Sequence, residues 1–342
     1  MKLQVHDLAV RYGSGHDALT AVDGVDFSLP EGKTLGLVGE SGCGKSSIAR
    51  ALVGLVPVQR GKIHLDGVDF SSNRSRTSMK FRRKVQMIFQ DPYSSLNPRM
   101  TVLETLSEVM PSSIARGGRR KEALRVLDLV GLAENALSRF PHQFSGGQRQ
   151  RIAIARALAI HPDVIINDEV TSSLDVSVQA TILNLLKDLQ NELKLSYVFI
   201  SHDLSSVRYM SDVVAVMYLG RIVETAATNQ LFRTPNHPYT RVLMDSIPKF
   251  GETRRMAPIA GDLPDPRRPP AGCRFHTRCP IGPIFRPERG VCIEVDPQSI
   301  AAEQGGVACH FAGELASERA VAELSASEPR QGVTPIQGSV HD

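Results

Sequence analysis

The run Gly39-Glu40-Ser41-Gly42-Cys43-Gly44-Lys45-Ser46-Ser47 places glycines, a lysine and hydroxyls at the spacing of a phosphate-binding loop. Glycines let the backbone bend around phosphates and turn several N–H groups inward. A helix starting at the loop adds its partial positive charge. Lys45 is expected to reach the β- and γ-phosphates of a nucleotide, and Ser46 to ligate Mg²⁺. A second group is Asp168-Glu169, which closes the apolar run Val164-Ile165-Ile166-Asn167. Asp168 is placed to hold Mg²⁺ directly or through water. Glu169 can then polarise a water beside the γ-phosphate. A third group is Phe144-Ser145-Gly146-Gly147-Gln148-Arg149-Gln150, just ahead of a helical stretch. There Ser145 can cap the helix, and the glycines let N–H groups face a second anion.

These groups need strands and helices to aim them. Residues 35–38 read as a buried strand before the loop, and residues 46–53 as the helix after it. Further strands are expected at 85–89, 164–167, 197–201 and 213–218, each short and rich in β-branched or aromatic side chains. Strands alternating with helical patterns over residues 1 to about 235 predict an α/β domain. Residues 3–29 and 62–68 read as an antiparallel flank, with turns at Gly13, Gly15, Asp23-Gly24 and Asp66-Gly67. Residues 92–145 look helical and more polar, with a break at Gly117-Gly118. The adjoining run Arg119-Arg120-Lys121 is expected to be a solvated helix face.

Composition removes several classes. The chain has 342 residues, 42% hydrophobic and 22% charged, enough for a real core. A net charge of +4 does not imply a nucleic-acid partner. No apolar run is long enough to span a membrane, and the N-terminus has no apolar region typical of a signal peptide. After Phe232 the chain turns proline-rich, from Pro235 to Pro270. This loop-rich unit needs something besides a large core to hold it. Residues 313–342, with five acidic and two basic side chains, read as a disordered tail.

In their order along the chain, the motifs resemble the ATP-binding subunit of an ABC transporter. The resemblance implies a P-loop NTPase cassette: a RecA-like α/β core, an antiparallel β flank and an inserted helical lobe. It implies that Tyr12 stacks on adenine and that Gln90, in Phe89-Gln90-Asp91-Pro92, senses Mg²⁺ and the attacking water and faces a membrane partner. Ser145-Gly146-Gly147-Gln148 matches the signature motif. Asp175, in Ser173-Leu174-Asp175, matches the loop at the dimer seam. His202 matches the switch histidine that contacts the γ-phosphate, with Glu169 as the catalytic base. The family closes two cassettes head to tail over ATP, so a second ABC ATPase subunit is required. Two departures stand out: Val170 replaces the usual proline, and Asn167 puts a polar group at the end of the strand. Two other readings compete with a transport ATPase. One is a soluble ABC-type ATPase acting on ribosomes or DNA. The other is a weakly hydrolysing regulatory nucleotide-binding subunit.

Three further stretches, Tyr93-Ser94-Ser95-Leu96-Asn97-Pro98-Arg99, His237-Pro238-Tyr239-Thr240-Arg241 and Gly272-Cys273-Arg274-Phe275-His276-Thr277-Arg278-Cys279-Pro280, resemble dipeptide and oligopeptide (also nickel) importer ATPases. The resemblance implies peptide import, driven from the cytoplasmic face of the inner membrane. Expected partners are a homologous second cassette, two membrane-spanning permease subunits and an external substrate-binding protein, with no nucleic acid. The expected units are a nucleotide-binding domain (1–235, helical lobe about 92–145), a small Cys/Pro-rich C-terminal unit (236–312) and the tail (313–342).

Cys273, Cys279, Cys292 and Cys309 follow a C-x5-C-x12-C-x16-C spacing. Without a secretion signal, such a cluster argues for metal over disulfides. The tight pairs of structural zinc sites are missing. Four thiolates also suit an iron–sulfur cubane, and in the resembling importers this tail can carry a [4Fe–4S] cluster. Zinc and unligated thiols stay open as alternatives. The gap before Cys292 is longer than usual in the family, so Cys292 is the weakest of the four assignments.

Overall fold

A computed structural model of the chain describes residues 1–15, 18–246, 261–297 and 306–314. In chain order the strands are β1 (Leu3–Tyr12), β2 (Leu19–Leu29), β3 (Thr34–Val38), β4 (Arg60–Leu65), β5 (Val68–Asp69), β6 (Val85–Ile88), β7 (Val164–Asp168), β8 (Ser196–Ile200), β9 (Val213–Tyr218) and β10 (Arg221–Ala227). They form two sheets, β2-β1-β4-β5 and β10-β9-β3-β8-β7-β6. The first is antiparallel, as expected of the flank. The second is parallel except for β10.

The apolar runs are continuous because both faces of the second sheet are buried. Alternate residues point to opposite sides. Val164, Ile166, Val198 and Ile200 join the core shared with the β flank. Ile165, Tyr197 and Phe199 join the core on the helical side. The five expected strands form, each within a residue of its predicted bounds.

Two local expectations need correction. Asp23-Gly24 does not reverse the chain. It lies inside β2, where Gly24 adopts a φ of 69° beside irregular β1–β2 pairing, so the two residues bulge the strand. Gly117-Gly118 does not break the lobe. Both sit in the first turn of the helix Arg116–Leu129. Asp66-Gly67 does make the expected hairpin turn, with φ of 52° and 75°, the pair that fits strand twist.

The late segment is mostly turns, as its prolines suggest, but it is not without a core. Phe275, Cys279 and Ile281 join the same buried cluster as Tyr218, Leu231 and Tyr239. Phe275 meets the rings of Tyr218 and Tyr239 edge-on, at 5.2 and 5.3 Å between centroids. Further along, Thr225 N–H donates to Gly306 O (3.0 Å) and Ala308 N–H to Val223 O (2.8 Å), so the chain around Val307 lies against β10. These contacts join the late segment to Tyr218 of β9 and to β10. Of the expected tail, residues 315–342 lie outside the described residues. No described helix is long and apolar enough to cross a membrane.

Candidate functional site

Parallel strands bring their C-terminal ends to one edge, where ligands bind in open α/β sheets. β3 runs into the glycine loop, β6 toward Gln90, β7 ends in Asp168, and β8 leads to His202. In the loop, Gly39 and Gly44 have φ of 150° and 111°. A Cβ on them would lie 2.1 Å from Met217 O and 2.2 Å from Ala21 O. No other residue fits so close to β9 and β2. Lys45, 6% exposed, donates from Nζ to the carbonyls of Gly39 (2.8 Å) and Glu40 (3.0 Å). Its charge thus lies inside the loop. Cys43 is buried, and burial raises its thiol pKa. Ser41 is exposed. The Tyr12 hydroxyl donates to Ser47 Oγ (3.2 Å), which ties the end of β1 to the helix Lys45–Leu52.

Ser46 Oγ donates to Asp168 Oδ1 at 3.1 Å, joining the loop to the end of β7. Burial pushes the Asp168 carboxyl up, against the Ser46 bond that lowers it, and the neighbouring Glu169 charge raises it further. Glu169 has a left-handed backbone, φ 51°, and its N–H donates to Ile200 O (2.9 Å). Its carboxylate accepts from Gln90 Nε2 at 2.9 Å and lies 3.4 Å from His202 Nδ1. The three residues expected to be catalytic are thus in direct contact. Val170, which follows Glu169, is buried. Asn167 is fully buried, and its amide has no hydrogen-bond partner among the described residues; nothing in the structure explains it.

Ser145 to Gln148 open a different helix, Gly146–Leu158. The Ser145 hydroxyl accepts from Gln148 N–H, and Gln148 Oε1 accepts from Ser145 N–H, a reciprocal cap. A Cβ on Gly147 would lie 2.5 Å from Val178, so this loop packs on the helix Val176–Leu193. Asp175 caps that helix. The Val178 N–H and the Ser177 hydroxyl hold its carboxyl below the ordinary range. Ser145, Gly146, Gln148 and Asp175 are all exposed.

Residues 22–172 match the ABC transporter family, and residues 223–282 match the oligopeptide/dipeptide transporter C-terminal region. The dipeptide transport ATP-binding protein DppF of Escherichia coli is 47% identical over 282 residues, covering 81% of this chain and 83% of that one. The oligopeptide transport ATP-binding protein AppF of Bacillus subtilis is 46% identical over 299 residues, covering 85% and 89%. This chain belongs to the ATP-binding subunits of dipeptide/oligopeptide-type ABC transporters. Among solved structures it resembles the dimeric post-hydrolysis state of the ATP-binding cassette MJ0796 bound to ADP and Pi. There the TM-score is 0.59 at 29% identity, covering 66% of this chain and 98% of that one.

This ABC subunit also has a cysteine site. Cys273, Cys279, Cys292 and Cys309 line one cavity of about 10 Å³, walled by His237, Phe275, Ile281 and Phe311. Burial raises all four thiols: Cys273 to about 11, Cys279 and Cys309 to about 12. The Phe311 N–H donates to Cys309 Sγ at 3.4 Å. Among the described residues, no group of three or more His, Cys, Asp or Glu side chains is arranged to hold a metal ion. The expected iron–sulfur ligation therefore draws no support from a formed ligand shell. The matched C-terminal region covers Cys273 and Cys279, and ends before Cys292 and Cys309.

Sequence reasoning missed what surrounds Glu40. Its N–H donates to the Tyr239 hydroxyl (2.9 Å), and its carboxylate accepts from Arg278 at 2.8 and 3.1 Å. These partners are 199 and 238 residues away, so no local spacing could have signalled them.

Proposed function

We propose that this chain hydrolyses ATP to drive import of di- or oligopeptides, as one of two cassettes closed head to tail over nucleotide. The observation that carries the reading is Glu169, whose carboxylate is shared by Gln90 and His202 next to the Ser46–Asp168 pair. Lys45 would bind the β- and γ-phosphates, and Tyr12 would lie against adenine. Ser46, Asp168 and Gln90 would hold Mg²⁺. Their hydroxyl, carboxylate and amide oxygens are hard ligands suited to it, and a cation would favour the ionised form of the buried Asp168. When bound, Mg²⁺ neutralises charge on the β- and γ-oxygens. Glu169 would take a proton from water as the water oxygen attacks the γ-phosphorus. The bond to the bridging oxygen breaks, and its electron pair leaves with ADP. His202 would contact the γ-phosphate oxygens.

The second anion site serves the other nucleotide. Ser145, Gly146 and Gln148 are exposed on a capped helix start; the cap takes the N–H groups of Ser145 and Gln148, while the Gly146 N–H and the Ser145 hydroxyl would meet a phosphate from outside. Asp175, exposed close by, would line the seam. Proposed partners are a homologous cassette, two membrane-spanning permeases and an external binding protein, with the work done on the cytoplasmic face of the membrane. The proposed units stay 1–235, 236–312 and 313–342. Ser145→Arg tests the arrangement: it is expected to leave nucleotide binding to its own loop unchanged while abolishing ATP-driven dimer formation in light scattering. Normal ATP-driven dimerisation, or loss of nucleotide binding in the isolated chain, would refute the head-to-tail reading.

For Cys273, Cys279, Cys292 and Cys309 we propose a structural [4Fe–4S] cluster, with zinc as the alternative. The support is that four thiols face one cavity and that the Phe311 N–H donates to Cys309 Sγ, which stabilises sulfur carrying negative charge. Such a group would cross-link the turns that carry the four cysteines. Anaerobically purified protein is expected to be brown, with about four iron atoms per chain. One zinc and no iron would replace the cluster. Neither metal, with all four thiols freely alkylated, would remove it.

A further inference from the structure

We infer that the C-terminal extension positions the phosphate-binding loop, with Arg278 and Tyr239 as positioning residues that act through Glu40. All three polar parts of Glu40 are held. Its carbonyl accepts from Lys45 Nζ (3.0 Å), its N–H donates to the Tyr239 hydroxyl (2.9 Å), and its carboxylate accepts a forked pair from Arg278 (2.8 and 3.1 Å). Two of the three holds come from beyond residue 235.

Both partners are rigid. Tyr239 is fully buried and the Arg278 side chain is 7% exposed. Arg278 also donates to the Tyr218 hydroxyl at 3.3 Å, and the Tyr218, Tyr239 and Phe275 rings pack on one another. A planar guanidinium on a carboxylate fixes direction as well as distance. Glu40 lies between Gly39, which can bend freely, and the loop N–H groups that would meet phosphate. Glycine-rich backbone keeps no fixed shape by itself. The extension supplies the constraint that the glycines lack. Its source is the segment that carries the cysteines, since Arg278 immediately precedes Cys279.

The inference rests on Lys45 and its loop binding nucleotide, and the test separates the two. Affinity for a fluorescent ATP analogue and melting temperature are measured on the full chain for wild type, Arg278→Ala, Glu40→Gln and the double variant. Each single change is expected to weaken affinity roughly 10-fold, because small displacements of a binding group are costly. The double is expected to be no weaker than either single, as for two ends of one interaction. Tyr239→Phe, which keeps the ring and removes only the acceptor, is expected to weaken affinity several-fold with its melting temperature near wild type. Should Arg278→Ala not fold, Tyr239→Phe alone carries the test. Effects that add, or a Tyr239→Phe chain with unchanged affinity, would overturn the inference while wild type still binds. Wild type that does not bind would overturn the nucleotide reading instead.

Discussion

Glu169→Gln is expected to bind MgATP as wild type does and to hydrolyse it at least about 100-fold more slowly, the scale lost with a general base. The amide is isosteric and can still meet Gln90, but it cannot take a proton from water. Without turnover the closed dimer should persist, so the variant should accumulate as an ATP-bound pair. The contacts seen at Glu169 make the outcome sharp. Its N–H on Ile200 O and its left-handed backbone fix the side chain's origin independently of its charge, so a rate loss would report chemistry and not displacement. Steady-state turnover in the assembled transporter is the measurement. A rate within a few-fold of wild type would show that Glu169 is not the base.

Lys45→Ala should act on binding. A charged hydrogen bond is worth about 1.5–3 kcal/mol, and 1.4 kcal/mol is tenfold in affinity. Loss of the ammonium from two phosphates is therefore expected to weaken ATP affinity about 100-fold. Lys45 also joins the carbonyls of Gly39 and Glu40 across the loop, so a modest drop in melting temperature should accompany the loss. Titration with a fluorescent nucleotide checks the first effect and calorimetry the second. Affinity within threefold of wild type would place the phosphates elsewhere.

Much of this architecture can be read from sequence, because buried parallel strands leave short apolar runs with sharp ends. The runs at 164–167 and 213–218 needed no knowledge of their neighbours. Gln90, Asp168, Glu169 and His202 were legible for the same reason, since each lies one or two positions past such a run; Lys45 and Ser46 were legible from the glycine spacing of their loop. Asp23-Gly24 was misread because a turn and a bulge use the same glycine, and only the partner strand decides between them. Gly117-Gly118 was misread because a helix start tolerates glycines that its interior would not. The late segment was misjudged for another cause. Phe275 and Ile281 are few, but they complete a cluster begun by Tyr218 and Tyr239 far back in the chain. Local apolar content does not count borrowed core.

The chain around Val307 lies along β10, the outermost strand of the six-stranded sheet. A bare edge strand offers unpaired N–H and C=O groups to any neighbouring molecule that can extend the sheet. Gly306 and Ala308 occupy two of those groups, at Thr225 and Val223, and Cys309 follows at once. Edge protection and delivery of the fourth thiol therefore depend on the same few residues. A chain cut before Gly306 would lose both together, and its fate in solution would be self-association through an opened sheet as much as loss of the cysteine site.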